Sequence, residues 1–105
     1  MQSIPVSSRE YVLVTVTAMV DGAPYDPTAD LVEFAFAPVG AVDPDVWRPA
    51  SWDAGPVPGT STFTARCLVG PGAPTELPRG RYTVWLRVTD SPEVPVRNAG
   101  LLAIT

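Results

Sequence analysis

The stretch Arg81-Tyr82-Thr83-Val84-Trp85-Leu86-Arg87-Val88-Thr89 alternates between two kinds of side chain at every position. One set is apolar and carries the aromatic ring of Tyr82; the other contains arginine, threonine and Trp85. A period of two that is rich in β-branched and aromatic residues is typical of a β-strand with one buried face. This stretch therefore predicts a strand whose Tyr82 side lies in the core and whose Trp85 side faces outward.

Other parts of the chain show the same period. Strands are predicted at residues 10–20, 31–37, 61–69 and 94–105, the last with a break near Asn98-Ala99-Gly100, and shorter ones at residues 4–7 and 47–53. Thirteen prolines and eight glycines separate these stretches, as expected for turns between short strands. Asp43 and Pro44 suit one helical turn, but no stretch has helical periodicity of useful length. The sequence predicts an all-β protein of about seven strands.

The residues before the quoted strand refine this prediction. Leu77-Pro78-Arg79-Gly80-Arg81-Tyr82 places a tyrosine at the start of a strand, five residues after Leu77 and two after Gly80. This resembles the tyrosine corner of immunoglobulin-like and fibronectin type III domains, in which the hydroxyl bonds back to the preceding turn. The resemblance implies a single immunoglobulin-like β-sandwich over residues 1–105. The alternative is an ordinary aromatic residue that opens a strand.

Charge and cysteine content narrow the possible partners. Seven arginines and no lysine stand against eleven acidic residues, for a net charge of −4. We expect neither nucleic acid nor an anionic membrane as a partner, because both need a concentrated basic face.

The single cysteine, Cys67, rules out an internal disulfide. The first residues have no basic stretch followed by an apolar run, so we expect synthesis in the cytoplasm without a signal peptide.

Catalytic chemistry has few candidates in this chain. Without histidine or lysine, Ser–His and Cys–His pairs, histidine-ligated metals and Schiff bases are impossible. Cys67 lies on an apolar strand face and is expected to be a buried, inert thiol. Two carboxylate pairs remain, Asp43 with Asp45 and Asp90 with Glu93, which could serve acid–base chemistry or calcium, although solubilising turn acids explain them better. We expect no enzyme, no cofactor and no metal.

Aromatic residues mark the candidate binding surface. Trp85 is predicted on the outward face with Thr83 and Arg87, and tryptophan and arginine are enriched at binding hot spots. The alternative is that residues 47–52 fold over Trp85. Tyr11 and Leu13 are also predicted to face outward, and Trp47 and Trp52 are further candidates, although loop anchors that pack on the sandwich are the favoured reading for these two. Edge strands offer a second binding mode by strand addition.

A wider resemblance covers most of the chain. It is carried by Val32-Glu33-Phe34-Ala35-Phe36, residues 47–52, Ala65-Arg66-Cys67-Leu68-Val69-Gly70, residues 80–90, Pro92-Glu93-Val94-Pro95-Val96 and Gly100-Leu101-Leu102. Together these stretches resemble small structural proteins encoded by actinobacterial bacteriophages and prophages. The resemblance implies a non-catalytic virion protein, present in many copies beside other virion proteins. It implies a head-associated or capsid-decorating subunit, with a tail, connector or baseplate position as the nearest variant.

Two other functions stay open at this point. A host adhesion or carbohydrate-binding module would show Trp47 and Trp52 exposed together on a loop platform. A small enzyme or metal-dependent module would bring its carboxylates together in one pocket.

Overall fold

The computed structural model describes residues 2–17, 19–20, 23–24, 30–40, 46–53, 62–89 and 94–105. Ten strands and no helix are found in these ranges. They are β1 (Gln2–Ile4), β2 (Glu10–Thr17), β3 (Met19–Val20), β4 (Ala23–Pro24), β5 (Leu31–Pro38), β6 (Arg48–Pro49), β7 (Ser51–Trp52), β8 (Thr62–Val69), β9 (Gly80–Thr89) and β10 (Val96–Ile104). The predicted all-β class is confirmed.

The strands form two sheets and a small hairpin. The first sheet has the order β1-β10-β9-β5-β6 and the second the order β2-β8-β7, while β3 pairs only with β4. Strand β1 runs parallel to β10, and the other pairings in both sheets are antiparallel. Eight strands thus make up the two sheets in the described part of the chain, against about seven predicted.

The core lies between the two sheets. Along β8 every second residue is buried, namely Phe63, Ala65, Cys67 and Val69, and the first sheet supplies Val32, Phe34, Tyr82, Val84, Leu86, Leu102 and Ile104. The alternation predicted for residues 81–89 is present, since Tyr82, Val84 and Leu86 are all buried. Burying a side chain as large as that of Phe34 stabilises the fold by about 2 kcal/mol. The two sheets are therefore held together by interdigitated apolar side chains.

The corner before β9 closes one end of the first sheet. The hydroxyl of Tyr82 donates a hydrogen bond of 2.8 Å to the carbonyl oxygen of Pro78, four residues upstream. Leu77 packs against the core beside it. The back-bond expected from the sequence is present, and it fixes the chain where it enters β9.

A β-bulge interrupts β10 at the break predicted near Asn98. The register against β9 shifts between Asn98 and Gly100, so the chain gains one residue relative to its partner strand. Gly100 has a φ of +120°, which a side chain would disfavour, and its amide donates to Oδ1 of Asn98 at 3.0 Å. Because the extra residue reverses the alternation, Val96 and Leu101 lie on the same face of the sheet.

The structure differs from the sequence prediction in three places. The leading strand is Gln2–Ile4 and not residues 4–7, because Pro5 has no amide to donate to a ladder. The strand predicted at 47–53 is split, with β6 in the first sheet and β7 in the second. Both faces of β5 are partly covered, since Ala35 and Ala37 are buried as well as Val32 and Phe34, whereas alternation predicts one buried face. The predicted helical turn at Asp43 and Pro44 lies outside the described residues.

Candidate binding surface

The outer face of the first sheet carries the predicted site. We call it the β9 face and define it by Thr83, Trp85 and Arg87 of β9 with their register neighbours, which are Ala37, Ala35 and Glu33 on β5 and Leu101, Asn98 and Val96 on β10. All of these residues lie opposite the core side of the sheet, because their strand neighbours Val84 and Leu86 are buried inside it.

Trp85 lies at the centre of the β9 face and is half-buried. Its indole Nε1 atom is fully buried and has no hydrogen-bond partner among the described residues. Two alternatives were predicted for Trp85, an exposed anchor or a ring covered by residues 47–52. The half-buried ring lies between them, since it is neither fully covered nor freely exposed.

Thr83 requires a correction. It was expected on the exposed interface, but its side chain is only 8% exposed. It lies in register between Ala37 and Leu101, and Ala37 is itself buried on this face. The centre of the sheet is therefore buried on this side, and Thr83 does not contribute to an exposed surface.

Arg87 is held in place by two partners. Its Nε and Nη2 atoms donate to Oε1 of Glu33 at 3.1 and 2.7 Å. Its guanidinium carbon lies 4.3 Å from the centroid of the Trp47 ring, a cation–π distance. Trp47 is therefore a loop anchor on the β9 face, as the sequence favoured, and the charge of Arg87 is neutralised locally.

Trp52 is partly buried and packs against the core, in line with the favoured prediction of a loop anchor and not with its place among the interface candidates. It pairs with Ala65 of β8, whose side chain points into the core, so Trp52 points there as well. Its ring meets Phe63 edge-on at 6.4 Å, and its Nε1 donates to the carbonyl oxygen of Asp30 at 3.1 Å. Trp47, which precedes β6 and contacts Arg87 of the first sheet, and Trp52, in β7 of the second sheet, thus do not form one platform.

Tyr11 and Leu13 are exposed as predicted, at 43% and 55%. They belong to the outer face of the second sheet, on the opposite side of the molecule from Trp85. The guanidinium of Arg66 lies 4.6 Å from the Tyr11 ring centroid. The residues predicted as one interface therefore divide between two opposite faces.

Three exposed apolar residues of the β9 side were missed by the sequence reasoning. Leu31 is 59% exposed, Leu101 49% and Val96 37%. Leu31 lies opposite Thr89 in register and so continues the β9 face at its end. The sequence pattern did not predict that Val96 and Leu101 share this face, because a strand without the bulge would place them on opposite faces. The sequence signal that marks them is Asn98 followed two residues later by Gly100.

Cys67 is buried and unpaired, as predicted. Burial raises the pKa of its thiol above the ordinary 9.0, while a hydrogen bond with Thr75 and the nearby charge of Arg48 act in the opposite direction. A buried neutral thiol is poorly suited to nucleophilic attack.

The candidate carboxylate pairs, Asp43 with Asp45 and Asp90 with Glu93, lie outside the described residues. Within the described ranges no cluster of three potential metal ligands is found. In the same ranges no helix is long and apolar enough to cross a membrane.

Comparison with known proteins gives no match: no protein-family model, no curated protein and no solved structure resembles the chain closely enough to be identified as a relative.

Proposed function

We propose that this protein is a non-catalytic, immunoglobulin-like structural subunit of a bacteriophage particle, which contacts other virion proteins through the β9 face. A head-associated or capsid-decorating position is the leading proposal. A tail, connector or baseplate position is the nearest alternative.

The strand order supports the immunoglobulin-like part of this proposal. In such sandwiches the second, fourth and fifth strands share one sheet, and the third, sixth and seventh share the other. If the seven main strands are β1, β2, β5, β7, β8, β9 and β10, the first group is β2, β7 and β8 and the second is β5, β9 and β10. The hydroxyl of Tyr82 also makes the back-bond of a tyrosine corner, at the start of the sixth of these strands.

The single observation that carries the binding proposal is the apolar character of the β9 face. Exposed apolar residues are common one at a time on any protein. Here Leu31, Val96 and Leu101 share one face with the half-buried rings of Trp85 and Trp47. An apolar sheet face that includes tryptophan and a neutralised arginine has the composition of a protein–protein interface core.

The virion role is supported by the resemblance of the sequence stretches to phage structural proteins. Its alternatives are less well supported by the geometry. A carbohydrate-binding platform would need Trp47 and Trp52 exposed together, but Trp52 packs against the core. A cysteine nucleophile is disfavoured because Cys67 is buried.

Mass spectrometry of purified phage particles tests the virion role directly. We expect the protein in the particles at a constant copy number, and its absence from them would overturn the virion role. The surface is tested by complementation with Leu101→Glu and Trp85→Ala, which we expect to reduce incorporation. Tyr11→Glu, at an exposed aromatic residue on the outer face of the second sheet, is the control. Melting curves separate folding from assembly, and equal incorporation of all folded variants would refute the β9 face.

A further inference from the structure

One side of the sandwich is only half closed. Strand β1 lies beside the edge of β10 at Leu102–Ile104 alone. The N-terminal part of β10, from Val96 to Leu101, has no strand partner on this edge among the described residues, and neither has the facing edge of β2. We call the end of this open side near Val96 its upper end. The opposite side is closed, because the chain crosses from β6 in the first sheet directly to β7 in the second.

A groove runs along this open side between β2 and β10. Its upper part has a volume of about 540 Å³ and is lined on one side by β2 from Leu13 to Thr17 and on the other by Arg97 and Asn98. A smaller part of about 210 Å³ continues it down to Gln2. Val14 and Val16 are only partly buried here, and with Leu86 they make the floor of the groove apolar.

The backbone of β10 is oriented to receive a strand in this groove. The carbonyl of Pro95 accepts a bond from Val88 of β9, so the groups of Val96 and Asn98 point away from β9. Beyond the bulge, the amide of Thr105 donates to the carbonyl oxygen of Ile4 in β1. Backbone groups of alternate residues point to the same side of a strand, so those of Leu101 also point towards the open side. Nη1 of Arg97 donates to the carbonyl oxygen of Val96 at 3.0 Å, a bond that an added strand would replace. The edge groups of Asn98 and Leu101 continue the ladder that β1 already uses.

We infer that the groove binds an extended peptide strand of a partner protein, which adds to β10 in the parallel direction and continues the line of β1. Apolar side chains at alternate positions of that strand pack on Val14, Val16 and Leu86. Arg97 is exposed at the upper end and forms no ion pair with a described residue, so the strand carries an acidic side chain near its N-terminal end. This inference rests on the proposed role as a binding module and names the kind of partner segment.

The parallel register makes a tethered probe possible. Residues placed before Met1 would run past Leu101 towards Val96, since Gln2 pairs with Leu102. The probe is the extension Asp-Thr-Val-Thr-Val fused directly before Met1, with its aspartate and its valines in the same alternation as Gln2 and Ile4, so that all three face the groove. The matched control is Asp-Thr-Ser-Thr-Ser, which has the same length and charge.

Amide hydrogen exchange measured by NMR reads out the result. With the valine probe we expect exchange at Val96, Asn98 and Leu101 to slow at least tenfold relative to the serine control. In Arg97→Glu this protection should weaken, and a probe that begins with lysine should restore it. Equal exchange with the two probes would overturn strand addition, and protection that is insensitive to the charge swap would overturn the role of Arg97. Neither result bears on the β9 face, whose own test is particle incorporation.

Discussion

Replacing Tyr82 with phenylalanine removes one oxygen atom and tests the corner at the start of β9. The side chain is 8% exposed, and its hydroxyl donates to Pro78 at 2.8 Å. A net contribution of 0.5–1.5 kcal/mol is usual for such a bond, and leaving a carbonyl without a partner adds to the loss. Pro78 is exposed, so water can replace the lost donor. We expect a loss of about 1 kcal/mol, or roughly 4 °C in melting temperature for a domain of this size.

Tyr11→Phe is the matched control for this measurement. Tyr11 is 43% exposed, and its ring contact with Arg66 does not need the hydroxyl. Chemical denaturation of both variants should give a loss for Tyr82→Phe and a change within about 0.5 kcal/mol for Tyr11→Phe. If Tyr82→Phe unfolds at the same denaturant concentration as the unaltered protein, the hydrogen bond does not stabilise the corner.

The stability difference between the unaltered protein and Tyr82→Phe should also depend on pH. Burial raises the pKa of Tyr82 above its ordinary 10.0, because the phenolate is poorly solvated at this position. The folded state then holds the proton more tightly than the unfolded state. The stabilisation is complete below pH 10 and is lost as the pH rises through the raised pKa. The stability difference between the unaltered protein and Tyr82→Phe should therefore shrink above pH 10, and a difference that grows there would contradict this reasoning.

Two further predictions concern the interior. Gly70→Ala should cost at least about 2 kcal/mol, because φ is +138° and a Cβ atom would overlap the backbone carbonyl oxygen of Ser8. Gly40→Ala, with φ +102° and no atom within 4 Å, should cost about 1 kcal/mol; equal losses in denaturant titrations would rule out the close contact. Cys67 should react with a thiol reagent roughly a hundredfold more slowly in native buffer than in denaturant, since the reaction needs local opening. Equal rates would show that the thiol is accessible.

The long strands could be predicted from the sequence because their chemistry is local. Alternating side chains in β2, β8 and β9 report directly which face is buried, and a tyrosine after Leu77 and Gly80 marks the corner. The pairing of short strands was not predictable in this way. β6 and β7 contain two residues each, so no period exists to assign them to a sheet, and the burial of Trp52 depends on its pairing with β8.

The candidate surface was predicted only in part, for a related reason. Trp85 and Arg87 were placed on the outward face by simple alternation, and the structure agrees. Alternation does not predict lateral neighbours, so it gave no sign that Trp47 lies against Arg87 or that Thr83 is buried. Nor does it reveal that Tyr11 and Trp85 belong to opposite sheets, since that follows from strand order.

The bulge at Asn98 connects the two proposed surfaces. Leu102 and Ile104 are fixed in the core, so the extra residue sets the orientation of the preceding half of β10. In that orientation Val96 joins the β9 face, and Arg97 lines the groove instead of the face. A regular strand would exchange the two, which would put a charge on the apolar face and remove it from the groove. One local irregularity therefore keeps the β9 face apolar and gives the groove its only charged lining residue among those described.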